Sequence, residues 1–279
     1  GEARDDYDIL AGIARVMGVG DAFTEGRSSG EWVRFLWSES QRRAATVGVE
    51  LPDYDRFVEG RYLRVEPPET RPAMMEAFLA DPEGSPLKTP SGKIELYSEV
   101  VAGFGYEDCP GHATWNVPDE WAGGADAEFP LHLLGKQPAN KLHSQLDPGA
   151  WSKAAKVKGR EAVEISPQDA AARGIADGDI VEVRNGRGAC LCGAVITSEL
   201  MPGVVMISTG AWYDPEGAGS GGRCRHGNPN VLSPDIGTSP LSQGPAAHSC
   251  LVEVTRLEGD APDVQAFEPP AFAPRKGDS

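Results

Sequence analysis

Two segments carry side chains on which chemistry could be built: GKQPANKLHSQLDPG, residues 135–149, and RCRHGNPNVLSPDIGTSPLSQG, residues 223–244. In the first, Lys136 and Lys141 supply positive charge. Gln137, Asn140, Ser144 and Gln145 can both donate and accept hydrogen bonds, and His143 can donate to a phosphate or accept from a base edge. The second segment has almost no helical or strand periodicity, yet it strings Asn228, Asn230, Asp235, Thr238, Ser239 and Gln243 between glycines and prolines. Amides, hydroxyls and local cations in this mixture suit a ligand rich in hydrogen-bonding groups. The plainer alternative is a pair of solvated surface loops.

Other constellations are weaker. Cys190 and Cys192 are two apart on a predicted strand and share a face, and Cys224 and His226 lie in the polar segment. Zinc would take such ligands, but no C-x-x-C pair is present, and two small thiols on one strand face read as packing inside the domain. No metal site is assigned on this chain. The glycine cluster EGAGSGGRCRHG fits neither the P-loop nor the dinucleotide fingerprint and reads as a loop. Ser144, His143, Ser239 and His248 make no hydrolytic triad, since no G-x-S-x-G elbow frames a serine.

These segments need a scaffold, and the chain predicts one. At 279 residues and 40% hydrophobic it can bury a core. No apolar run approaches the roughly 18 residues of a bilayer span, so no membrane partner is assigned. A formal net charge of -16 and a pI near 4.7 disfavour nucleic acid as a bulk partner. Five scattered cysteines read as reduced thiols and favour a reducing compartment.

Helical spacing predicts an amphipathic helix over residues 7–18, a second, packed one over GEWVRFLWSESQRRAATVG with Trp32, Phe35, Leu36 and Ala44 on one face, and a short one in RPAMMEAFLADPEG. TPSGKIELYSEVV, with Ile94 and Leu96 after a Ser-Gly turn, reads as a strand. From Phe129 onward strands dominate: FPLHLLG, REAVEIS, DIVEVRN, ACLCGAVIT, GVVMIS and CLVEVTRL, separated by turns such as ADGD, NGRG and MPG, a pattern suited to a small closed β-barrel. One short helix interrupts them, with Ser166 as N-cap, Pro167 in its first turn and Gly174 ending it. The fold class is an α+β N-terminal segment followed by a mainly-β domain. The predicted division is 1–125 for the mixed helical segment, 126–258 for the barrel, and 259–279 for a proline-rich tail, either extended over another surface or disordered.

The order LHLLGKQPANKLHSQLD, SPQDAAARGIADGDIVEVRNGRG, ISTGAWYDP, HGNPNVLSPDIGTSPLSQG, LVEV resembles the C-terminal cofactor-binding domain of the dimethyl sulfoxide reductase family of molybdenum enzymes. The biotin sulfoxide and trimethylamine N-oxide reductase branch is the most similar, and EWVRFLW, GVELPDYDRFVEG and TPSGKIELYSE extend the resemblance toward the N-terminus. It implies a six-stranded double-psi β-barrel that grips molybdopterin guanine dinucleotide, two copies of which chelate one molybdenum. It further implies that Lys136, Gln137, Lys141, His143, Ser144 and Gln145 lie along pterin and phosphates, that Trp212 and Tyr213 line the cofactor cleft, that Asn228 and Asn230 hydrogen-bond the dinucleotide, and that Gln243 and Gly244 lie near a pterin.

In that family the metal-ligating serine and the substrate-funnel aromatics sit in earlier domains. The resemblance therefore implies the C-terminal part of a longer reductase, partnered by those N-terminal domains and an unidentified electron donor, and inactive alone. The whole enzyme would remove oxygen from a small S- or N-oxide, in the cytoplasm, or in the periplasm if an export signal lies upstream. A different class of function remains open: a non-catalytic double-psi barrel serving as a binding or assembly module.

Overall fold

The computed structural model describes residues 3–66, 73–124, 128–217 and 222–269. The predicted boundary at 125/126, part of the glycine cluster and the last ten residues of the tail lie outside the described residues. The chain divides into two compact units, Gly1–Lys88 and Thr89–Ser279.

The first unit is helical. α1 (Asp6–Val16) and α2 (Gly20–Thr24) are followed by α3 (Ser29–Ala45), α4 (Tyr54–Gly60) and α5 (Glu76–Ala80). α3 starts on a capping box: the Ser28 hydroxyl accepts from the Glu31 amide while the Glu31 carboxylate accepts from the Ser28 amide. α4, not anticipated from its proline-punctuated surroundings, starts on the Asp53 side chain, which accepts from the Arg56 amide. Trp37 stacks on Phe57 at 4.0 Å and donates through its indole to the Pro52 carbonyl. The predicted helices over 7–18, 30–48 and 71–84 are present as α1, α3 and α5. The packing expected of α3 is not: none of its residues is buried, and Phe35 and Leu36 remain exposed. The unit offers α3 little apolar surface to pack against, and periodicity specifies a face without supplying its partner.

The strand expected in TPSGKIELYSEVV is absent. Residues 89–98 form bends and turns leading into α6 (Glu99–Ala102), capped by Ser98. Local side-chain bonds prevail here: the Thr89 hydroxyl donates to the Lys93 carbonyl, and the Glu95 carboxylate accepts from the Ser91 amide. Ile94 and Leu96 stay exposed, without the neighbouring strand that period-two alternation requires.

The second unit is built on six strands: β1 (Leu131–Lys136), β2 (Ala162–Ile165), β3 (Ile180–Arg184), β4 (Ala189–Ile196), β5 (Val204–Ser208) and β6 (Cys250–Arg256). Five fall inside a predicted strand, and β1 runs one residue past its own, to Lys136. They close in the order β1-β5-β2-β4-β3-β6, with β1/β5 and β2/β4 parallel and the other pairs antiparallel. Alternate side chains point inward, among them Leu131, Leu133, Val163, Ile165, Val181, Val183, Val205, Ile207, Val252 and Val254, all essentially inaccessible. Burial of each is worth roughly 1.5–3 kcal/mol. Cys190, Cys192 and Cys224 are fully buried in this core, so the thiol pair does fill the barrel. Gly193 in β4 is required by space, because a Cβ there would overlap Val157. Between β2 and β3 lies α8 (Pro167–Ala172), with Ser166 accepting from the Asp169 amide and Gly174 at φ +61° just past its end.

Strand directions settle where the connections emerge. β1, β5 and β3 end at the rim where β2, β4 and β6 begin. Residues 137–161, the turn 185–188 and residues 209–249 therefore all leave and return at one rim, and both polar segments lie there. The opposite rim carries residues 166–179, 197–203 and the point where the chain leaves β6.

Candidate cofactor-binding rim

The β1–β2 connection contains α7 (Ala150–Ala154) and folds around a buried charge cluster. The Lys141 ammonium lies 2.8 Å from Asp147 and 2.6 Å from Glu161, and the Lys156 ammonium lies 2.9 Å from each of the same carboxylates. Two cations and two anions balance, as four charges with almost no solvent must. Burial by itself would raise the Asp147 carboxyl, but hydrogen bonds from Lys141, Lys156 and the Trp212 amide outweigh it and hold Asp147 below the usual carboxylate range. Burial likewise opposes charge on Lys141, and Asp147 and Glu161 together push it above its ordinary value.

The cluster joins the β1–β2 connection to the β5–β6 connection. Asp147 accepts from the Trp212 amide at 3.1 Å, and the Trp212 indole donates to the Ser144 carbonyl at 2.8 Å. Gly210, at φ +90°, permits the approach, since any Cβ there would overlap the His143 carbonyl. His226 is wholly buried, with Nδ1 3.0 Å from the Trp212 carbonyl, so Nδ1 carries the proton. Burial and the Lys156 charge lower its basicity and keep the ring neutral. The far side of the rim is closed by Arg187, which ion-pairs with Glu120 and donates to the Leu232 carbonyl at 2.6 Å, while the Glu120 carboxylate accepts from the Leu251 amide at 2.7 Å.

The anticipated contact residues separate into groups. Lys136 pairs with Glu164 on the outer wall and lines a cleft of about 440 Å3 with Asn140, Trp151, Glu161 and Ser208, a size within the roughly 300–1,000 Å3 of small-molecule sites. Gln137, His143, Ser144 and Gln145 are exposed along the same connection, and His143 adopts a positive φ of 49°. Trp212 and Tyr213 are half-exposed beside them, 40% and 45% accessible. Asn228 caps a short 3-10 turn through the Asn230 amide, leaving the Asn230 side chain exposed. Gln243 and Gly244 sit in a separate turn, where the Thr238 amide donates to the Gly244 carbonyl at 2.7 Å. Lys141 departs from the expectation most clearly. Its charge is spent inside the protein, and it secures the connection instead of facing a ligand.

Asp147, Lys156, Glu161 and Thr209 were not among the anticipated residues. Asp147 stands within the first quoted segment, but no spacing rule distinguishes a buried aspartate from an exposed one. The Thr209 hydroxyl, directly after β5 at this rim, is buried with no protein partner, as is His226 Nε2. A buried hydroxyl left unpaired is costly, and a polar ligand would relieve that cost. With the exposed amides, hydroxyls and imidazole along the rim, this donor set fits a pterin-linked nucleotide better than an apolar ligand. Among the described residues no cluster of three or more His, Cys, Asp or Glu groups is arranged to hold a metal ion.

Comparison with known proteins accords with this geometry. The family described as "Molydopterin dinucleotide binding domain" matches residues 131–251, a span that opens with β1 and closes in β6. The chain is 42% identical over 277 residues to dimethyl sulfoxide/trimethylamine N-oxide reductase of Rhodobacter capsulatus, covering 98% of this chain and 33% of that protein. It is 42% identical over 274 residues to trimethylamine-N-oxide reductase 1 of Escherichia coli O157:H7, covering 96% and 32%. Among solved structures, acetylene hydratase from Pelobacter acetylenicus aligns over 92% of this chain and 33% of its own with a TM-score of 0.65 and 20% identity, a likeness of fold alone. The chain spans about a third of the length of the curated relatives it matches. The chain thus carries a molybdopterin dinucleotide-binding domain at residues 131–251 and is similar, along nearly all of its length, to about a third of the dimethyl sulfoxide and trimethylamine N-oxide reductases.

Proposed function

We propose that the barrel holds molybdopterin guanine dinucleotide, within a bis-dinucleotide molybdenum cofactor, and that the longer enzyme to which the chain belongs reduces small S- or N-oxides. The observation that carries this reading is the emergence of both polar connections at one rim, bound to each other through Trp212, Asp147 and His226. When bound, the molybdenum group supplies a two-electron oxygen acceptor, so that an S-oxide, two electrons and two protons give the sulfide and water.

The chain's own residues bind and orient. His143, Ser144 and Gln145 offer donors along the first connection, and Asn228 and Asn230 offer amides on the second. Trp212 and Tyr213 offer aromatic surface between them, and Gln243 and Gly244 a further turn. The buried cluster keeps the first connection in place without presenting charge to the ligand, and Lys136 remains the cation at the cleft. A double-psi connectivity accords with the closed six-strand order and its two parallel pairs. Among the described residues no helix is long and apolar enough to cross a membrane, and all five thiols are free, which favours a reducing compartment.

The test is cofactor content. In the full-length enzyme, His143→Ala combined with Asn230→Ala should lower released, oxidised pterin fluorescence per protein several-fold while the folded fraction is kept. Unchanged pterin content would remove the rim from the cofactor site and return the barrel to an assembly role.

A further inference from the structure

Among the described residues beyond β6 there is no helix or strand, yet this segment is tied to the barrel at successive points. β6 ends at the rim opposite the polar connections, and the segment returns toward them. Arg160, just before β2, donates to the Pro262 carbonyl. The Gln265 amide donates to Asp214 at 2.8 Å, and the same buried carboxylate meets Arg225 at 2.5 Å. Phe267 then sets its ring 5.6 Å from Trp212 at 64° and 4.9 Å from His226 at 86°, with the Lys153 ammonium 4.7 Å from its centroid.

From these contacts we infer that residues 261–268 form a strap whose Phe267 positions Trp212 on the cofactor rim. The inference rests on the reading that this rim holds the pterin dinucleotide. Phe267 lies outside the hydrophobic core cluster that fills the barrel. Trp212 has its amide held by Asp147 and its indole N–H held by Ser144, and the edge-to-face contact with Phe267 adds a restraint on the ring itself. A residue fixed before the ligand arrives loses less freedom on binding. Phe267 is thus a positioning residue acting through Trp212, and the strap makes the far end of the domain part of its binding apparatus.

The test is a double-mutant cycle in the full-length enzyme, reading the rate at which bound dinucleotide is lost in mild denaturant by the fluorescence of oxidised pterin. Phe267→Ala should speed the loss roughly three- to tenfold, and Phe267→Tyr, which keeps the ring, should stay near wild type. Trp212→Ala should speed it at least as much, and adding Phe267→Ala to that variant should change nothing further. An unchanged rate in Phe267→Ala, or the same acceleration with and without Trp212, overturns the strap. If Trp212→Ala has no effect while the His143 and Asn230 substitutions still deplete cofactor, the strap falls and the rim assignment stands. If none of them matters, both fall. Should Phe267→Ala lower the melting temperature by more than a few degrees, Phe267→Leu takes its place in the cycle.

Discussion

The helices of Gly1–Lys88 and the barrel of the second unit have equally clear apolar patterns and opposite fates. The closed sheet turns its alternate side chains onto one another, and Leu131, Val163, Val183 and Ile207 all reach essentially complete burial. In the helical unit only Ala11 and Ala14 are buried among the described residues, while Ile9, Leu10, Ile13, Phe35 and Leu36 stay exposed. A barrel carries its own partner surface, whereas an amphipathic helix has to find one. Residual stability should therefore be concentrated in the domain that binds the cofactor.

Hydrogen exchange on the intact chain is the strongest way to break that contrast. Amides of β1, β2 and β5 should exchange orders of magnitude more slowly than those of α1 and α3. Comparable protection in the two units would show that the helices hold a core of their own.

Charge gives the next largest effect. Lys141→Met leaves Asp147 and Glu161 short of a buried counter-charge and should cost about 3–5 kcal/mol in chemical denaturation. Lys136→Met, at a partly exposed pair, should cost under about 1 kcal/mol. Equal costs would mean that Lys141 is not the internal anchor described above. In the core, Leu133→Ala should destabilise by roughly 2–5 kcal/mol, whereas Leu36→Ala in α3 should stay within about 0.5 kcal/mol.

The smallest effect is the dependence on pH. His226 is held neutral, so its folded-state pKa lies below the ordinary 6.5, and the unfolded chain takes up the proton first as pH falls. The stability due to its neutral form is present above 6.5 and declines below it. Asp147, depressed below its ordinary 3.8, contributes stability that is complete above that value and is lost as pH falls through its folded pKa. Unfolding measured from pH 8 to 5 should show the first decline in the wild type and a flatter profile in His226→Gln.

How far all this was legible varies with the range of the determining interaction. REAVEIS and GVVMIS, short runs rich in Val and Ile and bounded by turn residues, became β2 and β5, and Ser166 capped the helix its sequence announced, because those preferences act within a few residues. TPSGKIELYSEVV carried the same local pattern and formed no strand, since nothing pairs with it. Lys141 looked like a ligand cation because a lysine among polar residues shows charge but not direction.

By its own order of residues, then, the chain determined which six runs become barrel strands, that Cys190 and Cys192 pack inside, and which segments are rich in hydrogen-bonding groups. The tertiary structure alone decided that those segments share one rim, that Lys141 turns inward to Asp147 and Glu161, and that Phe267 returns to Trp212. The reason is that strand order and the direction of a loop side chain depend on surfaces brought together from distant parts of the chain, and closure of the barrel is what brings them together.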